Sequence, residues 1–166
     1  MSVRLCELPE NAFLQRYIDV GHTDCYAVDV AQGVTFADFV TAFYTTWLFK
    51  LERAVLRLVK RPSTDAEVAE LAVGTCARFA AWDVEERAPD QILMRDMAGR
   101  TRSWLQVMPL DSRTRLYFGS AVVPDKNSGK MGFIFHALMG FHKLYSVMLL
   151  KAAVRKSILN SGRGHR

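Results

Sequence analysis

Glycine, proline and cysteine are scarce, with ten, five and three in 166 residues. So few turn-formers exclude a collagen-like or low-complexity chain, and so few cysteines exclude a disulfide scaffold. Cys6, Cys25 and Cys76 are odd in number, far apart in sequence and without a Cys-x-x-Cys pair. That pattern suits the reduced thiols of a cytoplasmic protein. Four histidines without ligand spacing and the absence of a glycine-rich phosphate loop give no reason to expect a metal or cofactor. Glu7 and Glu10 stand where a signal peptide would need an apolar stretch.

Half of the residues are hydrophobic and 23% are charged. This fits one domain over residues 1–166, able to bury roughly two-thirds of its unfolded surface. Within it, residues 1–20 read as an approach segment, 24–158 as the core and 160–166 as a flexible basic tail. Acidic residues are lacking from Lys126 onward, where eight of the 22 basic residues lie, so the first 125 residues are net acidic. Two accounts fit: cations opposing a helix dipole, or a weak contact of Lys151, Arg155 and Lys156 with an anionic membrane. Nucleic acid is not expected as a partner, because no aromatic residue interleaves the cations after Lys151. The twenty residues Met131–Leu150 carry one formal charge, a membrane-spanning length. Lys143, His136 and His142 would be costly in hydrocarbon, so this run reads as a long buried helix.

Along the chain, a short amphipathic helix is expected over Glu10–Ile18. A strand follows over Asp24–Gln32, with Tyr26, Val28 and Val30 on one face and Asp29 on the other. Thr35 caps a helix through Phe36, Phe39, Val40 and Phe43, and a second helix runs from Leu48 to Val59. Ser63 or Thr64 caps a third, Asp65–Ala72, ending at Gly74. The period then changes to that of strands at Cys76–Arg87, Gln91–Met97, Arg102–Met108 and Thr114–Val123. Short connectors built on Pro89-Asp90, Gly99 and Pro109 force these neighbours to run antiparallel. A helix from about Gly132 to Leu159 closes the chain. Five antiparallel strands need one face covered, and the last helix offers Phe135, Leu138, Phe141, Tyr145, Met148, Leu149 and Ala152. The fold class is therefore α+β, with a curved sheet wrapped on a long C-terminal helix. A cavity between these layers would suit a small apolar or amphipathic molecule.

The runs GRTRSW (Gly99–Trp104), RLYFGSAVV (Arg115–Val123) and GFHKLYSVMLL (Gly140–Leu150), in this order of elements, resemble a bacterial branch of the START-like superfamily. That superfamily includes the polyketide cyclases and shares the helix-grip fold. The resemblance spans about Asp24 to Ile158, and implies ligand binding in a pocket between sheet and terminal helix. Five strands stand here where larger members have seven, which implies a pocket that is smaller, open at an edge, or filled with side chains.

Five residues are candidates for lining such a pocket: Arg102, Trp104, Ser120, His142 and Tyr145. Alternation puts Arg102, Trp104 and Gln106 on one face of their strand and Ser103, Leu105 and Val107 on the other. Either Arg102 anchors an anion or carbonyl with Trp104 as a stacking wall, or it lies outside the core in a cation–π pair with Trp104. His142 and Tyr145, three apart, share a helix face and would orient a ligand carbonyl, or else sit at the margin of a packed helix. Ser120 is mid-strand, outside any nucleophile elbow, and reads as a small residue making room beside Gly119. Gly119 itself marks a bulge or a close approach of the helix. Six rings between Phe36 and Phe49 form either a pocket lip or a buried helix face. Ligand binding is the leading expectation. Its rivals are a cyclase or dehydratase using His142 as acid and base, and an interaction module with a filled core.

Overall fold

The computed structural model describes residues 2–31, 33–47, 63–124, 147–148 and 150–155. The expected helix over Leu48–Val59 lies outside them, as does most of the helix expected over 132–159.

Among the described residues seven strands, not five, form one antiparallel sheet. They are β1 (Arg4–Leu5), β2 (His22–Val30), β3 (Arg78–Phe79), β4 (Trp82–Arg87), β5 (Gln91–Asp96), β6 (Thr101–Pro109) and β7 (Thr114–Val122). Their spatial order is β1-β2-β7-β6-β5-β4-β3. Two physical facts account for the extra pair. The run 76–87 is broken by a tight turn in which Ala80 takes a left-handed φ of 54°, so Arg78 and Phe79 fold back on Asp83 and Trp82. Arg4 and Leu5 add to the free edge of β2 opposite Ala27 and Tyr26, a pairing too short to leave any periodicity.

Helix α1 (Phe36–Tyr44) starts at Thr35, whose hydroxyl accepts from the Asp38 N–H at 3.1 Å. Helix α2 (Asp65–Val73) starts at Thr64 with a reciprocal capping box to Glu67 and stops at Gly74, φ 84°. Both starts follow from local chemistry: each cap satisfies N–H groups that a first turn leaves unpaired. Arg87 holds the end of α2 from outside. Its guanidinium donates to the Leu71 and Ala72 carbonyls at 2.6 Å each and lies over the Phe36 ring.

Because β2 pairs with β7 while β3 is the opposite edge, the chain between them crosses one face of the sheet carrying α1 and α2. That face holds the larger core: Tyr26, Val28, Ile92, Met94, Leu105, Leu116 and Phe118 pack under Phe39, Phe43, Tyr44, Val68 and Leu71. Phe43 meets Phe118 at 5.0 Å between ring centres, and Tyr44 meets Phe79 at 5.5 Å. Of the aromatic run, Phe36, Phe39, Phe43 and Tyr44 are thus buried, Trp47 is 64% exposed, and Phe49 lies outside the described residues.

Residues 147–148 and 150–155 are helical and close the same core through Leu150, Ala153 and Val154. This is a different helix face from the expected Met148 and Ala152. Met148 is exposed, in line with the exposed Lys151 and Arg155. The face through 150, 153 and 154 buries no cation, whereas the expected one runs beside two.

The opposite face of the sheet is covered as well. The N-terminal segment, including a 3-10 helix over Phe13–Tyr17, lays Ala12 and Leu14 on Cys25, Ala27, Leu93, Trp104, Tyr117 and Ala121. Gly119 makes this approach feasible: a Cβ there would stand 2.8 Å from Leu14 Cδ2 and 3.0 Å from Trp104 Cε3. The close approach expected at Gly119 is therefore real, but its partner is the N-terminal segment. The register through Gly119 is continuous, and the irregularity falls in β4 between Val84 and Glu86.

Candidate functional site

The β2–β7 ladder sets Asp24 opposite Ser120 and Tyr26 opposite Phe118. Alternation then puts His22, Asp24, Tyr26 and Val28 with Ser120, Phe118 and Leu116 on the helix-covered face. Asp24 is 7% exposed. Its Oδ1 accepts from Ser120 Oγ at 2.5 Å, while its Oδ2 is buried with no hydrogen-bond partner among the described residues. The same holds for Nε2 of the half-buried His22, two residues earlier. An unpaired buried polar atom costs about 1–3 kcal/mol, so each of these two atoms on one face calls for a partner beyond the described residues. Next along the strand, burial and the Asp24 carboxylate push the Tyr26 phenol up to about 12, keeping it protonated.

A groove of about 440 Å³ opens beside this cluster. Strand β1 covers the edge of β2 at Tyr26 and Ala27, and the Cys6 N–H reaches the Cys25 carbonyl at 2.9 Å, so the chain after Cys6 diverges beside the edge at His22–Asp24. Leu5, Cys6, Glu7 and Leu8 form one wall, the edge of β2 the other, and Gln15 and Ile18 the end. His22 and Asp24 thus border both an apolar core and a solvent-facing groove.

Of the five expected residues, Ser120 belongs to this cluster. Arg102 and Trp104 do not join it. They lie on the opposite face, beneath the N-terminal segment, and both are buried. Trp104 donates its Nε1–H to Gln91 Oε1 at 2.9 Å and stands 5.9 Å from the Tyr117 ring. Arg102 Nε lies 2.9 Å from Glu85 Oε2 and 3.1 Å from the Tyr17 hydroxyl, and Nη1 donates to Gly99 O at 2.7 Å. Its cation–π partner is Tyr17, at 4.8 Å, and not Trp104. The irregular step in β4 aims Glu85 at this arginine, and the Tyr17 hydroxyl donates to the same carboxylate. These bonds fasten the N-terminal segment to the sheet. His142 and Tyr145 lie outside the described residues, as does Lys156, while Lys151 and Arg155 are exposed on the terminal helix.

Sequence reasoning passed over His22 and Asp24. The signal was present: the alternation that turns Tyr26, Val28 and Val30 inward carries positions 22 and 24 inward too. Two further strand carboxylates make hydrogen bonds at the surface. Asp83 accepts from Arg78 Nε at 2.6 Å, and Asp96 Oδ1 accepts the Arg100 and Thr101 N–H groups in the β5–β6 turn. Among the described residues, no three His, Cys, Asp or Glu side chains converge to hold a metal ion. No described helix is long and apolar enough to cross a membrane.

No family model matches this chain, and no curated protein matches it either. Two solved structures are similar in outline. One is a protein from Arthrobacter aurescens solved by solution NMR, 11% identical, with a TM-score of 0.42 over 84% of this chain and 85% of that one. The other is the crystal structure of CalU16 from Micromonospora echinospora, 8% identical, with a TM-score of 0.34 over 99% and 97%. At these values neither likeness carries an argument about what the chain does.

Proposed function

We propose that the chain is a START-like, helix-grip protein that binds a small amphipathic molecule against the helix-covered face of its sheet. The apolar body of the ligand would lie along Tyr26, Phe118 and their neighbours, with its polar end at Asp24, Ser120 and His22. The observation that carries this reading is the pair of buried atoms on one face, Asp24 Oδ2 and His22 Nε2, that have no hydrogen-bond partner among the described residues. A carboxylate oxygen only accepts, so the complementary group on the ligand is a donor: a hydroxyl, an amine or an amide N–H. The groove beside His22–Cys25 offers the way in. Seven strands, the number found in larger START-like members, also favour the helix-grip assignment. In this reading Arg102 and Trp104 hold the fold, and Ser120 fixes the Asp24 carboxylate.

Native mass spectrometry of the freshly purified protein, followed by solvent extraction, tests the proposal. The expected result is an adduct of a few hundred daltons that Asp24→Asn loses while unfolding at an equal or higher denaturant concentration. Removing a poorly satisfied buried charge relieves the fold even as it disables the site. An adduct retained equally by Asp24→Asn overturns the site. A clean mass together with no binding of an anilinonaphthalene sulfonate probe overturns ligand binding.

A further inference from the structure

Cys6 and Cys25, treated above as unrelated thiols, are brought together by the β1–β2 pairing. Leu5 pairs with Tyr26, and the next step of the ladder places the Cys6 N–H on the Cys25 carbonyl at 2.9 Å. The two sulfurs are hydrogen-bonded at 3.2 Å, both thiols being free. Residues directly opposite in such a hydrogen-bonded pair stand about 5.5 Å apart at Cα, inside the range a disulfide spans. Both side chains lie on the face covered by the N-terminal segment, so no strand has to turn for the sulfurs to join.

The two thiols are unequal. Cys25 is 2% exposed, whereas Cys6 is half-buried and forms part of the groove wall. We propose that Cys6 and Cys25 are a peroxide-reactive dithiol, with Cys6 the attacking thiolate and Cys25 the resolving thiol. The electrostatics agree in direction. The hydrogen bond shared with Cys25 favours the Cys6 thiolate, burial opposes this, and Arg4 and Arg115 add positive charge nearby. Cys25 is pushed up by the same hydrogen bond and by burial, so it keeps its proton until its turn comes. A low, accessible thiol beside a resolving one is the arrangement that senses oxidant.

The reaction balances with a hydroperoxide as the only other reactant. The Cys6 thiolate attacks one peroxide oxygen, the O–O bond breaks, and the departing alkoxide or hydroxide takes a proton to leave as alcohol or water. Cys6 is now a sulfenic acid. The Cys25 sulfur attacks Cys6 Sγ and displaces hydroxide, which leaves as water with the Cys25 proton. Two thiols lose two electrons in total, and the peroxide gains them. The product ties β1 and the wall of the groove covalently to the edge of β2. This proposal stands independently of the ligand reading.

Hydrogen peroxide added to the reduced wild-type protein tests it, read by thiol titration and disulfide peptide mapping. The expected result is loss of two of the three titratable thiols, one peptide linking Cys6 to Cys25, no oxygen added, and full reversal by dithiothreitol. The oxidised form should also unfold at a higher temperature, since a closed loop restrains the unfolded chain. In Cys25→Ser, Cys6 should accumulate as a dimedone-trappable sulfenic acid. In Cys6→Ser, the buried Cys25 should survive the same treatment. Three unchanged thiols, a linkage through Cys76, or sulfinic acid at Cys6 of the wild type without a disulfide would each overturn the proposal. The mapping uses wild-type protein, so a variant that fails to fold does not decide the outcome.

Discussion

Gln91 and Trp104 are locked together beneath the N-terminal segment: Gln91 Oε1 accepts the indole N–H at 2.9 Å and the Phe13 N–H at 3.1 Å. The other end of the same amide donates to the Asn11 carbonyl at 3.0 Å. One buried side chain thus satisfies a tryptophan and two backbone groups that would otherwise be left unpaired. Trp104→Phe, which keeps a ring and loses the donor, should cost about 1 kcal/mol in urea unfolding, and Trp104→Ala ~3–5 kcal/mol. Ligand retention should survive Trp104→Phe. A ligand lost by that variant at unchanged stability would return Trp104 to the binding site.

Arg102 and Glu85 form the most buried ion pair among the described residues, their side chains 10% and 18% exposed. Breaking such a pair strands a charge out of water. Arg102→Met alone should cost ~3 kcal/mol, and the double variant with Glu85→Gln distinctly less than the sum of the two. Additive losses in a double-mutant cycle would show that packing, not the pair, sets the cost.

Acid should weaken a different contact. Hydrogen bonds from Arg115, opposed by burial and joined by Arg4, hold the Asp29 carboxyl down at about 2. A carboxylate depressed in the folded state adds stability above its unfolded value, near 4, and loses it as pH falls toward the folded value. Asp29→Asn should therefore be less stable than wild type at pH 7, with the gap closing between about pH 4 and pH 2. Equilibrium unfolding of both proteins across that window reads the effect, and a gap independent of pH would sink it.

Gly119→Ala should destabilise by about 1–3 kcal/mol, because the new methyl meets Leu14, Trp104 and the Asp24 carbonyl at 2.8–3.1 Å. Leu14 is the most yielding of the three. Leu14→Ala should consequently cost less in the Gly119→Ala background than in wild type. Equal costs in both backgrounds would mean that Leu14 is not what the methyl strikes.

The helices α1 and α2 were legible because their signals are local: Thr35 with Asp38, Thr64 with Glu67, and Gly74 as a stop. The strands β2 and β5–β7 announced themselves by alternation and by Pro and Gly between them. What escaped depended on partners far along the chain. Both faces of β6 carry buried residues, so alternation could not say which face meets the helices. Arg102 and Gln106 are polar, yet Glu85 and Tyr17 engage Arg102 under cover and Asp90 accepts from the Gln106 amide N–H, while Gln106 Oε1 has no partner among the described residues. The turn at Ala80 uses a residue that gives no turn signal. Ser120 was visible as a small strand residue, but its role beside Asp24 depends on a neighbour 96 positions away.

That long ladder also orders events during synthesis. Side chains joined across β2 and β7 are 86 and 96 residues apart, whereas β3 to β7 pair with near neighbours. On the ribosome, β2 emerges early and waits, with Tyr26 and Val28 unburied, until Thr114–Val122 has followed it out of the tunnel. The meander can zip as it is made, since its loops are short and cost little entropy to close. The Asp24–Ser120 contact is therefore made late, before the helix through Leu150 and Val154 closes the core, and a nascent chain stalled before Thr114 presents an unprotected apolar strand to chaperones.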